Sequence, residues 1–339
     1  MRDFRLPTPE MTEAEADQRL ASDRNDFEAM LAKAENRLRQ KDHRAASAYF
    51  GAAAQIGQKT PGVPPDRLLR IRDAMQWIEA RYLDHIYASL KAAGHPEQDW
   101  HPRFRRSLEI MTGKRLRDPP REPFPQLPTA FYYDGLPYFE FADAGAFAWR
   151  ESVEAATDAI RDEAQALLRT DGTFGPYVKR ATDRPQGDVH GLLDNTDWST
   201  FDLTAKGQPV ADRIELCPQT HAAISGTGAL CDVPNRAPTI MFSLLRAGKR
   251  IAPHTGMINT RLICHLPLIV PGEGKLRVGS EARQWVEGEL MAFDDTVEHE
   301  AWNDAHEDRL VLIFDVWRPE IEPIERAQIN ALFAAVDSY

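Results

Sequence analysis

The chain has 339 residues, 42% hydrophobic and 27% charged, with a formal net charge of −11. That length holds one large domain or two of ordinary size, each able to bury a core. An acidic balance of this kind excludes a sequence-independent grip on nucleic-acid phosphates. The longest apolar run, around Leu262–Val270, is interrupted by His265 and Pro267 and is far short of the roughly 20 residues of a membrane helix.

The opening stretch, MRDFRLPTPEMTEAEADQ, has neither an apolar core nor a small-residue cleavage site, so no secretory signal is expected and a cytoplasmic location follows. Residues 1–20 read as charged and loosely ordered. From Asn25 to about Leu90 the pattern is helical: Phe27, Met30, Leu31, Ala34 and Leu38 recur at three and four, one apolar stripe on one face. Ala45–Gln55 carries Ala45, Ala46, Tyr49, Phe50 and Ala53, and Asp66–Leu90 carries Leu69, Met75, Ile78, Tyr82, Ile86 and Leu90. Paired helices rich in small and aromatic residues fit one degenerate tetratricopeptide-like hairpin, or equally a plain helical bundle, since no second copy of the repeat follows.

Arginines crowd residues 102–121, a stretch that reads as a solvated face or a contact for an acidic partner. Residues 113–130 hold five prolines and read as an extended linker. The expected division is therefore a helical region over 1–112, a linker over 113–130, a β domain over 131–320 and a C-terminal helix over 321–339. One amphipathic helix is expected over Phe147–Leu168, its apolar face at Val153, Ala156, Ile160, Ala164 and Leu167. Strands are expected at Thr239–Leu245, Thr260–Val270, Lys275–Val278, Glu289–Phe293 and Arg309–Trp317, with Gly248, Gly272, Gly274 and Gly288 between them. Short strands without intervening helices imply an antiparallel double sheet of jelly-roll kind, and Glu322–Val336 closes the chain as a helix. The fold class is thus α+β. Cys217, Cys231 and Cys264 form no CxxC and read as reduced thiols, with a Cys217–Cys231 pair as the alternative.

The chemistry concentrates between residues 254 and 309. On a strand, Asn259, Arg261, Ile263 and His265 share a face, and three polar side chains on one face line a wet cavity or bind something. His254 precedes that strand and His299 follows another; two imidazoles from different strands can converge on one metal inside a small β-barrel. Arg309 opens the apolar strand RLVLIFDVW, which places a fixed guanidinium ready for a carboxylate. Each has an ordinary alternative: a hydrogen-bonded core histidine, or an ion pair of Arg309 with Asp294, Asp295 or Asp315. His190, His221 and the SGTG at 225–228 read as loop or core features.

The segments SLLRAGKRIAPHTGMINTRLICHLPLIVP, GELMAFDDTVEHEAWND and RLVLIFDVWRP resemble the catalytic domain of the aspartyl/asparaginyl β-hydroxylase family. Its members are iron(II)- and 2-oxoglutarate-dependent dioxygenases on a double-stranded β-helix. The resemblance is close over Ile240–Pro319 and looser from about Pro123. It implies that His254 and His299 bind iron, that Ser243 and Arg309 hold the distal carboxylate of 2-oxoglutarate, and that His265 contacts the carboxylate near the metal. It also implies that Gly256 stands where other oxygenases place an acidic ligand, with Asp295 ordering a water in the gap. The chain departs from the better-known members at Ile263, where they carry a second arginine, so a further carboxylate contact would rest on Arg261 and His265. The implied reaction uses dioxygen to hydroxylate an aspartyl- or asparaginyl-like β-carbon in a peptide, a carrier-bound amino acid or a free small molecule, with a possible protein partner at the helical region. The alternative is a non-catalytic jelly-roll module whose helices recruit a partner.

Overall fold

The computed structural model describes residues 7–179, 191 and 193–339, so His190 lies outside the described residues. Two compact units emerge: residues up to Glu97 with Ala334–Tyr339 form the first, and most of the remainder the second.

The first unit holds α1 (Glu13–Ser22), α2 (Phe27–Arg39), α3 (His43–Lys59) and α4 (Pro65–Ala92). Helix α1 overturns the expectation of loose order through residue 20. Thr12 and Glu15 form a capping box, each side chain accepting the other's backbone N–H, which offsets the poor apolar content of the segment. Asp26 and Asp42 accept from Ala29 N and Ala45 N at 3.0 Å and start α2 and α3. The core gathers Phe27, Leu31, Phe50, Ile71 and Ile78. Gly57 lets three helices meet, because a Cβ there would press on Phe27 and Leu68 at 2.9 Å. Leu69, expected on the apolar face, stands exposed. Among the described residues no helix is long and apolar enough to cross a membrane.

The second unit begins with α5 (Pro102–Met111) and β1 (Phe141–Ala142). The helix expected over Phe147–Leu168 is two, α6 (Arg150–Ala155) and α7 (Thr157–Leu168). They part where the Thr157 hydroxyl donates to Glu154 O at 2.6 Å, a side-chain bond that bends helices. Next come β2 (Gly175–Pro176), β3 (Trp198–Asp202), β4 (Thr204–Ala205), β5 (Gln208–Pro209), α8 (Ala211–Leu216) and α9 (Pro218–Ser225). Eight strands follow: β6 (Ile240–Leu245), β7 (Arg250–His254), β8 (Arg261–Ile269), β9 (Gly274–Val278), β10 (Glu281–Gln284), β11 (Met291–Phe293), β12 (His299–Asn303) and β13 (Arg309–Trp317). Helix α10 (Pro323–Asp337) ends the chain.

Those eight strands divide between two sheets. One runs β1-β11-β8-β13-β6-β3-β2 and the other β10-β9-β12-β7, every pairing antiparallel. This is a double-stranded β-helix. Parity sorts the side chains of β8: Leu262, Cys264, Leu266 and Leu268 pack outward with Val153, Ile160 and Leu167 of α6 and α7. Ile263 joins Met241, Leu276, Phe293 and Val311 between the sheets. All three cysteines are free and buried.

Residues 113–130 form no helix or strand, but their end is not loose. Leu127 N donates to Thr296 O, and Thr129 N and Ala130 N donate to Gly256 O and Met257 O, so this segment borders the loops that carry the candidate site. The neighbouring arginines are engaged internally: Arg103 with Glu325, Arg106 with Asp134, Arg115 with Glu109, and Arg117 over the Tyr132 ring.

Candidate active site

His254 ends β7 and His299 begins β12, and the strand register sets the two opposite each other. Their ring centroids lie 4.1 Å apart. Each ring is oriented by the backbone carbonyl two residues before it: His254 Nδ1 bonds Ala252 O at 2.8 Å and His299 Nδ1 bonds Val297 O at 3.1 Å. A backbone carbonyl at Nδ1 places the proton there and the lone pair on Nε2, the tautomer a metal-binding imidazole needs. Burial, reinforced by His254, pushes His299 down to about 3, so its ring is neutral.

No third protein ligand joins them among the described residues. The one cluster of three ligating side chains found there is His101, Glu322 and Glu325, away from this pair. The Glu325 carboxylate already accepts from Arg103, from Tyr133 Oη at 2.7 Å and from Glu322 N at 2.9 Å, which leaves it no capacity for an ion.

Gly256, two residues after His254, faces Asp295 closely. A Cβ at Gly256 would fall inside the Asp295 carboxylate, so residue 256 cannot supply an acid while Asp295 stands there. Gly256 N donates to Asp295 O at 2.6 Å, which ties the two loops together. Arg261 holds the other side: its Nη2 lies 3.3 Å from Asp295 Oδ2, and its Nη1 bonds Asp315. Burial works against the Arg261 charge, but Asp315 and Asp295 outweigh it. Burial raises Asp295 to about 6, with Arg261 opposing, and Asp295 Oδ1 has no partner. Two nitrogens of Arg261 are thus engaged by carboxylates, while its buried Nε has no partner.

Ser243, His265 and Arg309 come from β6, β8 and β13, neighbours in the larger sheet. Arg309 is 2% exposed, its Nε and Nη1 bond nothing, and its ring contact is the face of Trp285 at 4.6 Å. Burial alone pushes it down to about 9. The ion pairs that sequence left open to Arg309 are taken: Asp294 binds Arg318 at 3.0 Å, while Asp295 and Asp315 bind Arg261. His265 Nδ1 accepts from Trp285 Nε1 at 3.4 Å. Burial, then Arg309, holds the pKa of His265 well below the usual imidazole value, so its Nε2–H is a neutral donor. Ser243 Oγ accepts from Trp198 Nε1 at 3.0 Å.

Some side chains lie elsewhere than parity suggests. Asn259 sits in the turn before β8, where Oδ1 accepts from Tyr133 N at 2.6 Å and Nδ2 donates to Tyr133 O at 2.9 Å. His221 meets Ser225 on its own helix. Sequence reasoning missed Trp285, Trp198 and Tyr177; Tyr177 is 45% exposed and stacks on Trp198 at 4.1 Å. Their one signal was aromatic residues in short runs rich in turn residues.

A family model described as Aspartyl/Asparaginyl beta-hydroxylase matches residues 154–319. The mouse protein named Aspartyl/asparaginyl beta-hydroxylase is 33% identical over 198 residues, which cover 58% of this chain and 25% of that one. The chain therefore spans about a quarter of that relative's length. An Ornithine lipid ester-linked acyl 2-hydroxylase of Rhizobium tropici is 33% identical over 53% of this chain and 61% of its own. The mouse Aspartate beta-hydroxylase domain-containing protein 2 is 27% identical over 71% and 70%.

Proposed function

We propose that this chain, whose residues 154–319 match the family model described as Aspartyl/Asparaginyl beta-hydroxylase, is a hydroxylase of that family that depends on iron(II) and 2-oxoglutarate. The observation that carries the reading is Arg309. A buried guanidinium with two N–H groups unbonded is costly by several kcal/mol unless an anion completes it. A carboxylate is the planar acceptor its fork fits. Ser243, two residues from the Arg309 register partner Leu245 on β6, adds a hydroxyl, and His265 adds a neutral N–H farther along the same interior. Donors at separate points along one inner sheet face suit a dicarboxylate, and the paired imidazoles suit a divalent metal.

In this reading His254 and His299 hold the metal. Arg309 and Ser243 hold the distal carboxylate of 2-oxoglutarate, and His265 contacts the end nearer the metal. With dioxygen, the bound iron and cosubstrate supply the oxidising power for hydroxylation of an unactivated carbon. The protein's part is position. Gly256 supplies no ligand of its own, its side-chain space is taken by the Asp295 carboxylate, and Arg261 fixes Asp295 there, so that the unpartnered Asp295 Oδ1 can order a water. No side chain here need act as a general base. For the acceptor we propose an aspartyl- or asparaginyl-like β-carbon, in a peptide or a smaller molecule.

The test is conversion of 2-oxoglutarate to succinate by the full chain with ferrous ion. Wild type should turn over, and His299→Ala should not. A wild type that is inert at every metal loading would leave a non-catalytic module as the better description. Incubation with aspartyl peptides and with acyl lipids, scored by mass for one added oxygen, then separates the acceptor classes.

A further inference from the structure

Trp198 stands at a junction. It lies on β3 with its side chain between the sheets, on the rung of Leu245, which also pairs with Arg309. Three separate contacts converge on its indole. Nε1 donates to Ser243 Oγ at 3.0 Å. The ring lies 6.1 Å from that of His254. On its other side Tyr177 stacks at 4.1 Å with the planes 29° apart.

The hydrogen bond has a direction. An indole nitrogen only donates, whereas a hydroxyl has one hydrogen and two acceptor sites. Trp198 therefore fills an acceptor site of Ser243 and leaves the serine hydrogen for another acceptor. Ser243 is fully buried, and none of its hydrogen bonds to described residues uses that hydrogen. Arg309, across β6 from Trp198, has its own unbonded N–H groups. An anion received there takes hydrogens from both, and the chain indole to hydroxyl to carboxylate strengthens each link.

Resting on the dicarboxylate reading above, we infer that Trp198 is a positioning residue for the cosubstrate: its indole N–H fixes the Ser243 hydroxyl as a donor toward the carboxylate that Arg309 binds. Without it the hydroxyl turns freely, and part of the binding free energy goes to orienting it. Because Trp198 acts through Ser243, its contribution vanishes once Ser243 is gone.

That dependence distinguishes a positioning role from a merely structural one. Calorimetric titration of the full chain with 2-oxoglutarate and Mn(II), as a redox-inert stand-in for iron, gives Kd for wild type, Trp198→Phe, Ser243→Ala and the double variant. Ser243→Ala should weaken binding by about 10- to 150-fold, the size of one hydrogen bond to a charged group, and Trp198→Phe by about fivefold, the size of one between neutral groups. The double variant should match Ser243→Ala within about twofold, since the two residues form one unit. Trp198→Phe binding like wild type, or losses that multiply in the double variant, overturns the inference. If Trp198→Phe melts early, benzothienylalanine at 198 keeps the ring shape, removes only the N–H, and must show the same loss. A wild type that takes up no 2-oxoglutarate overturns the underlying reading and this inference together.

Discussion

Arg309 and Gly256 carry opposite kinds of constraint, one a charge without a partner and the other a space without an atom. Since burial alone depresses Arg309, an apolar side chain of similar length should relieve the unliganded protein. Arg309→Met is expected to raise its unfolding free energy by about 1–3 kcal/mol while abolishing stabilisation by 2-oxoglutarate. Thermal melts with and without the diacid check both halves, and a variant less stable than wild type would mean that Arg309 is satisfied in a way the structure does not show. Gly256→Asp tests the space. Restoring the acid that other oxygenases place there should not tighten metal binding, because its Cβ meets the Asp295 carboxylate and Arg261 holds that carboxylate in place. We expect a loss of about 2–4 kcal/mol from overpacking next to a buried charge, with stability regained in Gly256→Asp/Asp295→Gly. Equilibrium denaturation of both variants decides it. Sequence could place Arg309 at the head of a strand and Gly256 after a histidine. It could not show that Asp295, 39 residues on, fills the void Gly256 leaves, since that exchange exists only in the folded chain.

At the scale of elements, legibility followed burial. Strands β8 and β13 are buried along nearly their whole length and read as continuous apolar runs. By contrast β7, β10 and β12, with sequences RIAPH, EARQ and HEAWN, are partly or wholly exposed. Lacking apolar runs, they gave no strand signal, although β7 and β12 carry the two histidines. The helices are a simpler case. Glu35 on α2 is 1% exposed and bonded to Arg70, yet burial outweighs that partner and raises its pKa to about 7. A carboxyl whose folded value exceeds its ordinary 4.5 adds stability when protonated. That stability is full below about pH 4.5 and is lost as the pH rises through about 7. Glu35→Gln should therefore be close to wild type in stability at pH 4.5 and more stable by about 1–3 kcal/mol at pH 8, with Arg70, a third exposed, left to water. A gap that stays constant from pH 4.5 to 8 would show that Glu35 remains ionised in the folded helix.

For the whole molecule, composition and element order were enough for an α+β chain with its helices first and its sheets last, because the periodicity changes from three-and-four to short extended runs. How eight strands are shared between two sheets was not readable, since β6 to β13 switch sheet at every step except from β9 to β10, an order that only pairing reveals. The consequence is measurable. Each unit has its own apolar core, one around Phe27, Phe50 and Ile78 and the other between and behind the sheets, and the candidate site belongs wholly to the second. A ligand that binds only the folded site stabilises by mass action, by about 2.7 kcal/mol at 100 times its Kd. That amount slows the exchange of globally protected amides about 100-fold. With Mn(II) and 2-oxoglutarate present, hydrogen exchange should slow in 240–245, 261–269 and 309–317, where Ser243, His265 and Arg309 stand. Amides of 27–39 and 43–59, which belong to the first unit, should exchange at their former rates. Equal slowing in both units would mean that they unfold as one, and no slowing in the strands would mean that Arg309 does not receive the diacid.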